Sequence, residues 1–156
     1  MQIEEVDEDM RELVFDFFFR FARFESALKE NGYRRWTDAG ARAWPSWQKF
    51  AAKHRATYQA NSSAKTLIAS LPKIQVIGEN GQLQFVHQHL AENIDTLDRV
   101  IAHAQTVRNN LFHGGKHGGD GWTDPDRMKV LLRSTIGVLD DLAERGGFGG
   151  DYSGYY

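Results

Sequence analysis

Apolar residues in this chain recur mostly at helical spacing. Met10, Leu13, Val14, Phe17, Phe21, Phe24 and Leu28 fall three and four apart, which predicts one buried face of a helix from about Asp7 to Asn31, closed by Asn31-Gly32. Phe15, Phe18 and Phe19 make the middle of that helix apolar around most of its circumference, as in a helix central to a core or pressed on a second chain. Ile94, Leu97, Ile101, Ala104, Val107 and Leu111 predict a second long helix over about 91–112. Thr123-Asp124-Pro125-Asp126 has the chemistry of a helix start, and Met128, Leu131, Leu132, Thr135, Ile136, Leu139 and Leu142 carry that helix to about Glu144.

Between these helices the pattern changes. Thr37 or Asp38 suits the cap of a helix through Ala39, Ala41 and Ala43, with Pro45 breaking it or starting the next. Trp44, Trp47, Phe50 and Ala51 then give helical spacing to about Tyr58, which assigns Trp44 and Trp47 to the core. A short helix or connector is expected over 64–71, ending at Pro72. Residues 73–86 alternate apolar and polar around Asn80-Gly81, a β-hairpin signal. A lone ribbon is marginal, so it must pack on helices. The expected architecture is all-α, a bundle of four to five helices with this hairpin as an excursion. Residues 1–145 read as one domain and 146–156 as a flexible Gly/Tyr-rich tail.

Composition narrows the classes. A chain of 156 residues can bury a single sizeable core, and ten phenylalanines and four tryptophans supply bulk for it. Without cysteine there are no disulfides, thiolate metal sites or thiol catalysis. An acidic start and no long apolar run predict a soluble, cytoplasmic protein with no membrane partner.

A net charge of −2 conceals an asymmetry. Residues 1–28 hold three Lys/Arg against eight Asp/Glu, residues 29–73 hold nine against two, and residues 74–156 hold seven against eleven. Two readings fit the basic middle: a polyanion-binding surface, or a solvated face whose cations pair with the acidic flanks. Trp36, Trp44, Trp47 and Tyr58 interleave with Arg34, Arg35, Arg42, Lys49, Lys53 and Arg55, a combination able to stack and neutralise single-stranded nucleic acid.

Candidate chemistry gathers at the end of the second long helix. Asn109 and His113, four apart, share one face of its last turn; Arg108 lies beside them with a planar fork of donors suited to phosphate, and Gly114-Gly115 fit a helix stop. Arg108-Asn109, three further residues and His113 resemble the motif of the HEPN (higher eukaryotes and prokaryotes nucleotide-binding) family. The likeness covers about residues 8–145.

The resemblance implies a homodimeric, metal-independent endoribonuclease acting through 2′-hydroxyl attack on the adjacent phosphate, with two Arg/His sets facing one cleft. It gives His113 the role of general base or acid, Arg108 that of phosphate clamp and Asn109 that of orienting residue. A toxin or phage-defence setting, with an antitoxin protein as partner, is implied as well. Lys116, His117, Arg34 and Arg35 are candidate RNA-binding residues; neither a cofactor nor a metal is expected. HEPN toxins paired with nucleotidyltransferase antitoxins have a tyrosine two residues after the motif histidine. Gly115 stands there, so adenylylation at that position is not supported. The alternatives are a non-catalytic HEPN-like module binding RNA, nucleotide or protein, and a helical assembly protein built on the aromatic first helix.

Overall fold

A computed structural model describes residues 6–113 and 124–154. Among these, six helices and one hairpin follow in order: α1 (Glu8–Glu30), α2 (Trp47–His54), α3 (Ser62–Ser70), β1 (Lys73–Ile77), β2 (Leu83–His87), α4 (Thr96–His113), α5 (Pro125–Gly146) and α6 (Gly149–Ser153). The fold is mostly helical, as the spacing of apolar residues predicts.

α1 begins where Asp7 Oδ1 accepts the Met10 amide at 2.7 Å, with Glu8 and Asp9 at the positive end of the helix dipole. It ends where Asn31 Nδ2 donates to the Ala27 carbonyl and Gly32 turns the chain at φ +83°. Phe17, Phe21, Phe24 and Leu28 are buried as expected, and this face packs on α5 and α6. Asn61 and Asp124 cap α3 and α5 in the same manner. α3 crosses α5 closely at Gly137, where an added Cβ would come within 2.8 Å of Ser63 Cβ.

The hairpin pairs Lys73 with His87 through Ile77 with Leu83, and Gly81 takes φ +76° in its turn. Asn110 Nδ2 donates to the Lys73 carbonyl at 2.6 Å, holding β1 against α4. Neighbouring asparagines thus divide their work, because Asn109 points elsewhere.

Three expectations need correction. Residues 37–43 are not helical: Gly40 adopts φ +83°, the Ala41 amide donates to the Asp38 carbonyl in a turn, and Arg34 bridges to Pro45. The stretch is a loop clipped at its base by Ser46 N donating to Tyr33 O and Arg35 N donating to Trp44 O. Trp44 therefore stands outside the core at 41 % exposure, whereas Trp47 is buried.

Residues 146–154 do not form a loose tail. α5 runs through Gly146, Gly147 reverses the chain at φ +70°, and Phe148 is 1 % exposed, with its ring 5.8 Å from those of Phe24 and Phe50. Tyr152 on α6 donates to Asp140 Oδ1 at 2.6 Å, the oxygen that also accepts Arg20 Nη1. The last segment is thus a sixth helix sealing the aromatic core.

Candidate functional site

One open groove of about 460 Å³ brings together residues from four parts of the chain. Phe21, Glu25 and Lys29, spaced by four, form one wall from a single side of α1. Gln105, Arg108 and Asn109 supply the facing wall from one side of α4. The 33–46 loop closes the end with Arg35, Arg42 and Trp44, and Trp47 contributes from the start of α2.

The electrostatics are one-sided. Four cationic side chains, Lys29, Arg35, Arg42 and Arg108, line the groove against a single carboxylate. That carboxylate, Glu25, already accepts the Trp47 indole N–H at 3.2 Å. Several arginines elsewhere are matched: Arg20 with Asp16 and Asp140, Arg55 with Asp95 and Asp98, Arg145 with Asp141. Among the described residues none of the four groove cations forms such a pair. Unneutralised positive charge around a small concavity concentrates anions there.

Among the described residues Arg108 has no carboxylate partner. Its Nη1 donates to Asn109 Oδ1 at 3.1 Å, and its guanidinium lies 5.4 Å from the Phe112 ring centre and 6.0 Å from that of Phe21. Aromatic faces fix the plane of the fork while leaving donors for a phosphate. Across the groove the Arg42 guanidinium lies 4.6 Å over the Trp44 ring.

The structure brings Arg108, Asn109 and Arg35 into one groove. Arg34 is exposed beside it, its backbone occupied in the bridge to Pro45, and does not line the cleft. His113 is exposed at the last position of α4, one turn beyond Asn109 (roughly 6 Å along the axis), and does not line the cleft either. Lys116 and His117, with the glycine-rich stretch around them, lie outside the described residues.

Lys29, Arg42, Trp44 and Gln105 are groove residues that sequence reasoning did not place in the site. Interleaved basic and aromatic residues were the available signal for Arg42 and Trp44. Lys29 and Gln105 carry no such signal.

Shifted titrations lie away from the groove. Burial pushes the His103 imidazole below its usual range, aided by Arg99; burial also lowers His54, with Lys53 and Arg145 adding to the effect. Burial raises the Tyr58 phenol to about 12. Among the described residues no three His, Asp or Glu side chains gather as a metal site, and no helix is long and apolar enough to cross a membrane.

Beside the groove, Phe15, Phe18, Phe19 and Phe112 form an exposed aromatic surface on α1 and α4, with the Phe18 and Phe112 rings 5.7 Å apart. No protein-family model, curated protein or solved structure matches this chain.

Proposed function

We propose that this protein is a HEPN-like, metal-independent endoribonuclease acting as a homodimer. The observation that carries the reading is Arg108 with Asn109 in a groove whose cations pair with no carboxylate among the described residues, one helical turn from His113.

The chemistry follows from those groups. An RNA phosphate set against the Arg108 fork has its developing charge stabilised without a metal. A base takes the proton of the neighbouring 2′-hydroxyl, whose oxygen bonds to phosphorus. The bond from phosphorus to the 5′ oxygen breaks, and an acid protonates that leaving oxygen. The products are a 2′,3′-cyclic phosphate and a 5′-hydroxyl end. An imidazole serves either proton role. One chain supplies a single His113 here, and a second copy supplies the other, which is why the aromatic surface ending at Phe112 matters. Asn109 orients Arg108 through its side-chain oxygen. DNA lacks the 2′-hydroxyl and is not cut.

The test is cleavage of total RNA and of a single-stranded oligomer in EDTA, with wild type beside His113→Ala and Arg108→Ala. His113→Ala is expected to slow cleavage about 10²–10⁴-fold, and Arg108→Ala about 10²–10³-fold. Ends must be cyclic phosphates. Cleavage by folded His113→Ala at the wild-type rate overturns the assignment of His113, and an RNA left intact by wild type overturns catalysis. A second reading, a non-catalytic module binding RNA, nucleotide or a protein partner, is favoured by the position of His113 outside the groove lining. Binding without turnover selects it. A toxin or phage-defence role with an antitoxin partner follows the first reading, and predicts growth arrest on overexpression that Arg108→Ala relieves.

A further inference from the structure

We infer that the 33–46 loop builds a nucleobase subsite: Trp44, braced by Arg42, stacks one unpaired base of a single-stranded RNA, while Arg35, Lys29 and Arg108 hold the phosphates on either side. This deepens the ribonuclease reading by naming what binds next to Arg108, and rests on it only for the choice of RNA over DNA.

Four observations lead here. Trp44 is a large aromatic that the fold leaves 41 % exposed, although Trp47, three residues on, is buried. Its exposure is imposed by the loop, since the Trp44 carbonyl accepts the Arg35 amide at 3.0 Å and Arg34 bridges to Pro45. Arg42 lies over the ring at 4.6 Å, which fixes the indole and adds a second planar surface. Both residues line the same groove as Arg108, so the stack and the phosphate clamp share one concavity.

The size and chemistry select the ligand. About 460 Å³ falls in the range of small-ligand clefts, about 300–1,000 Å³. Such a space takes a nucleotide unit or two but not a duplex, and a base must leave its helix to offer its face. An acidic peptide would engage the cations, Arg42 among them, yet gain no stacking from Trp44. Stacking on an indole is tolerant of base identity, so this subsite fixes strandedness and position, not sequence. A phosphate drawn to Arg108 by a stacked neighbour is held in register for attack.

Binding of a fluorescent 2′-O-methyl RNA oligomer, which cannot be cleaved by 2′-hydroxyl attack, tests the subsite independently of catalysis. Trp44→Ala should weaken binding about 5- to 100-fold, and Trp44→Phe, which keeps a stacking face, should stay within about threefold of wild type. Arg35→Gln should lower the slope of log affinity against log salt by roughly 0.7, the value for one single-strand phosphate. Arg133→Gln, on the exposed side of α5, should leave the slope unchanged.

Equal affinity of wild type and Trp44→Ala overturns the stacking assignment. Polyglutamate of matched charge binding as tightly as the oligomer overturns it in favour of an acidic protein partner, and an oligomer that wild type does not bind overturns it altogether. Tight binding that needs Trp44, with no RNA cut in any assay, leaves the subsite standing and removes the nuclease.

Discussion

His103 is a histidine the proposed chemistry does not use, and its surroundings make it a stability sensor. It lies 4 % exposed on the inner face of α4, and its Nδ1 has no hydrogen-bond partner among the described residues. Burial, with Arg99 nearby, pushes its folded pKa below the unfolded value near 6.5. The folded state therefore binds fewer protons than the unfolded state in the acid range. Its stability contribution is complete above pH 6.5 and is lost as pH falls through the folded pKa. Denaturant unfolding between pH 8 and 5 should show a loss from this site of up to about 1.4 kcal/mol per pH unit, beginning below pH 6.5. His103→Leu should flatten that slope without lowering stability at pH 8, because it also removes an unsatisfied buried nitrogen. An unchanged slope in the variant would assign the acid sensitivity to other groups, His54 first, since its folded pKa is depressed in the same direction.

At the scale of elements, α6 shows how one aromatic can decide whether a glycine-rich segment is loose or docked. Phe148 enters the cluster of Phe24, Phe50 and Tyr33, and Tyr152 closes over Phe24 with its hydroxyl on Asp140. Phe148→Ala should cost about 3–5 kcal/mol in urea unfolding. Tyr152→Phe should cost only about 1 kcal/mol, because Arg20 still satisfies Asp140. If both changes cost less than about 1 kcal/mol, the segment does not belong to the cooperative core. The sequence concealed this docking because flanking glycines dominate local propensity, while one buried ring has no periodic partners to betray it. The 33–46 loop misled for the opposite reason. Alanines at 39, 41 and 43 permit a helix, but Gly40 at positive φ and the Arg34–Pro45 bridge build a turn instead. Where many side chains vote together, as along α1 and α5, spacing alone was sufficient; along α4 it gave the helix but not its start, which is Thr96 rather than a residue near 91. The candidate site divides likewise: Arg108 and Asn109 were legible as helical neighbours and Arg35 as part of a basic run. Lys29 and Gln105 join them only through the approach of α1 and α4, which no local pattern encodes, whereas Arg42 and Trp44 were visible as interleaved basic and aromatic residues without their place in the groove.

For the whole molecule, the remaining question is what covers the aromatic surface. α1 carries two apolar stripes. One is buried through Phe17, Phe21 and Phe24, and the other presents Phe15 at 68 % exposure beside Phe18 and Phe19, with Phe112 of α4 joining it. A contiguous exposed apolar patch of this kind marks an association surface, and covering half of each phenylalanine gains roughly 1 kcal/mol apiece. Phe112 precedes His113 and its ring centre lies 5.4 Å from the Arg108 guanidinium, so in the proposed homodimer a second copy seated there is expected to present its own histidine near the first copy's groove. Sedimentation should give a two-chain mass for wild type and a one-chain mass for Phe18→Glu, with helical circular dichroism retained. In that variant cleavage should fall at least tenfold, while the non-cleavable oligomer binds within about threefold of wild type, since the groove lies within one chain. A two-chain mass for Phe18→Glu would place any interface elsewhere. A one-chain variant that cleaves at the wild-type rate would mean that a single His113 suffices, and that the proton given to the leaving oxygen comes from another group of the same chain or from water.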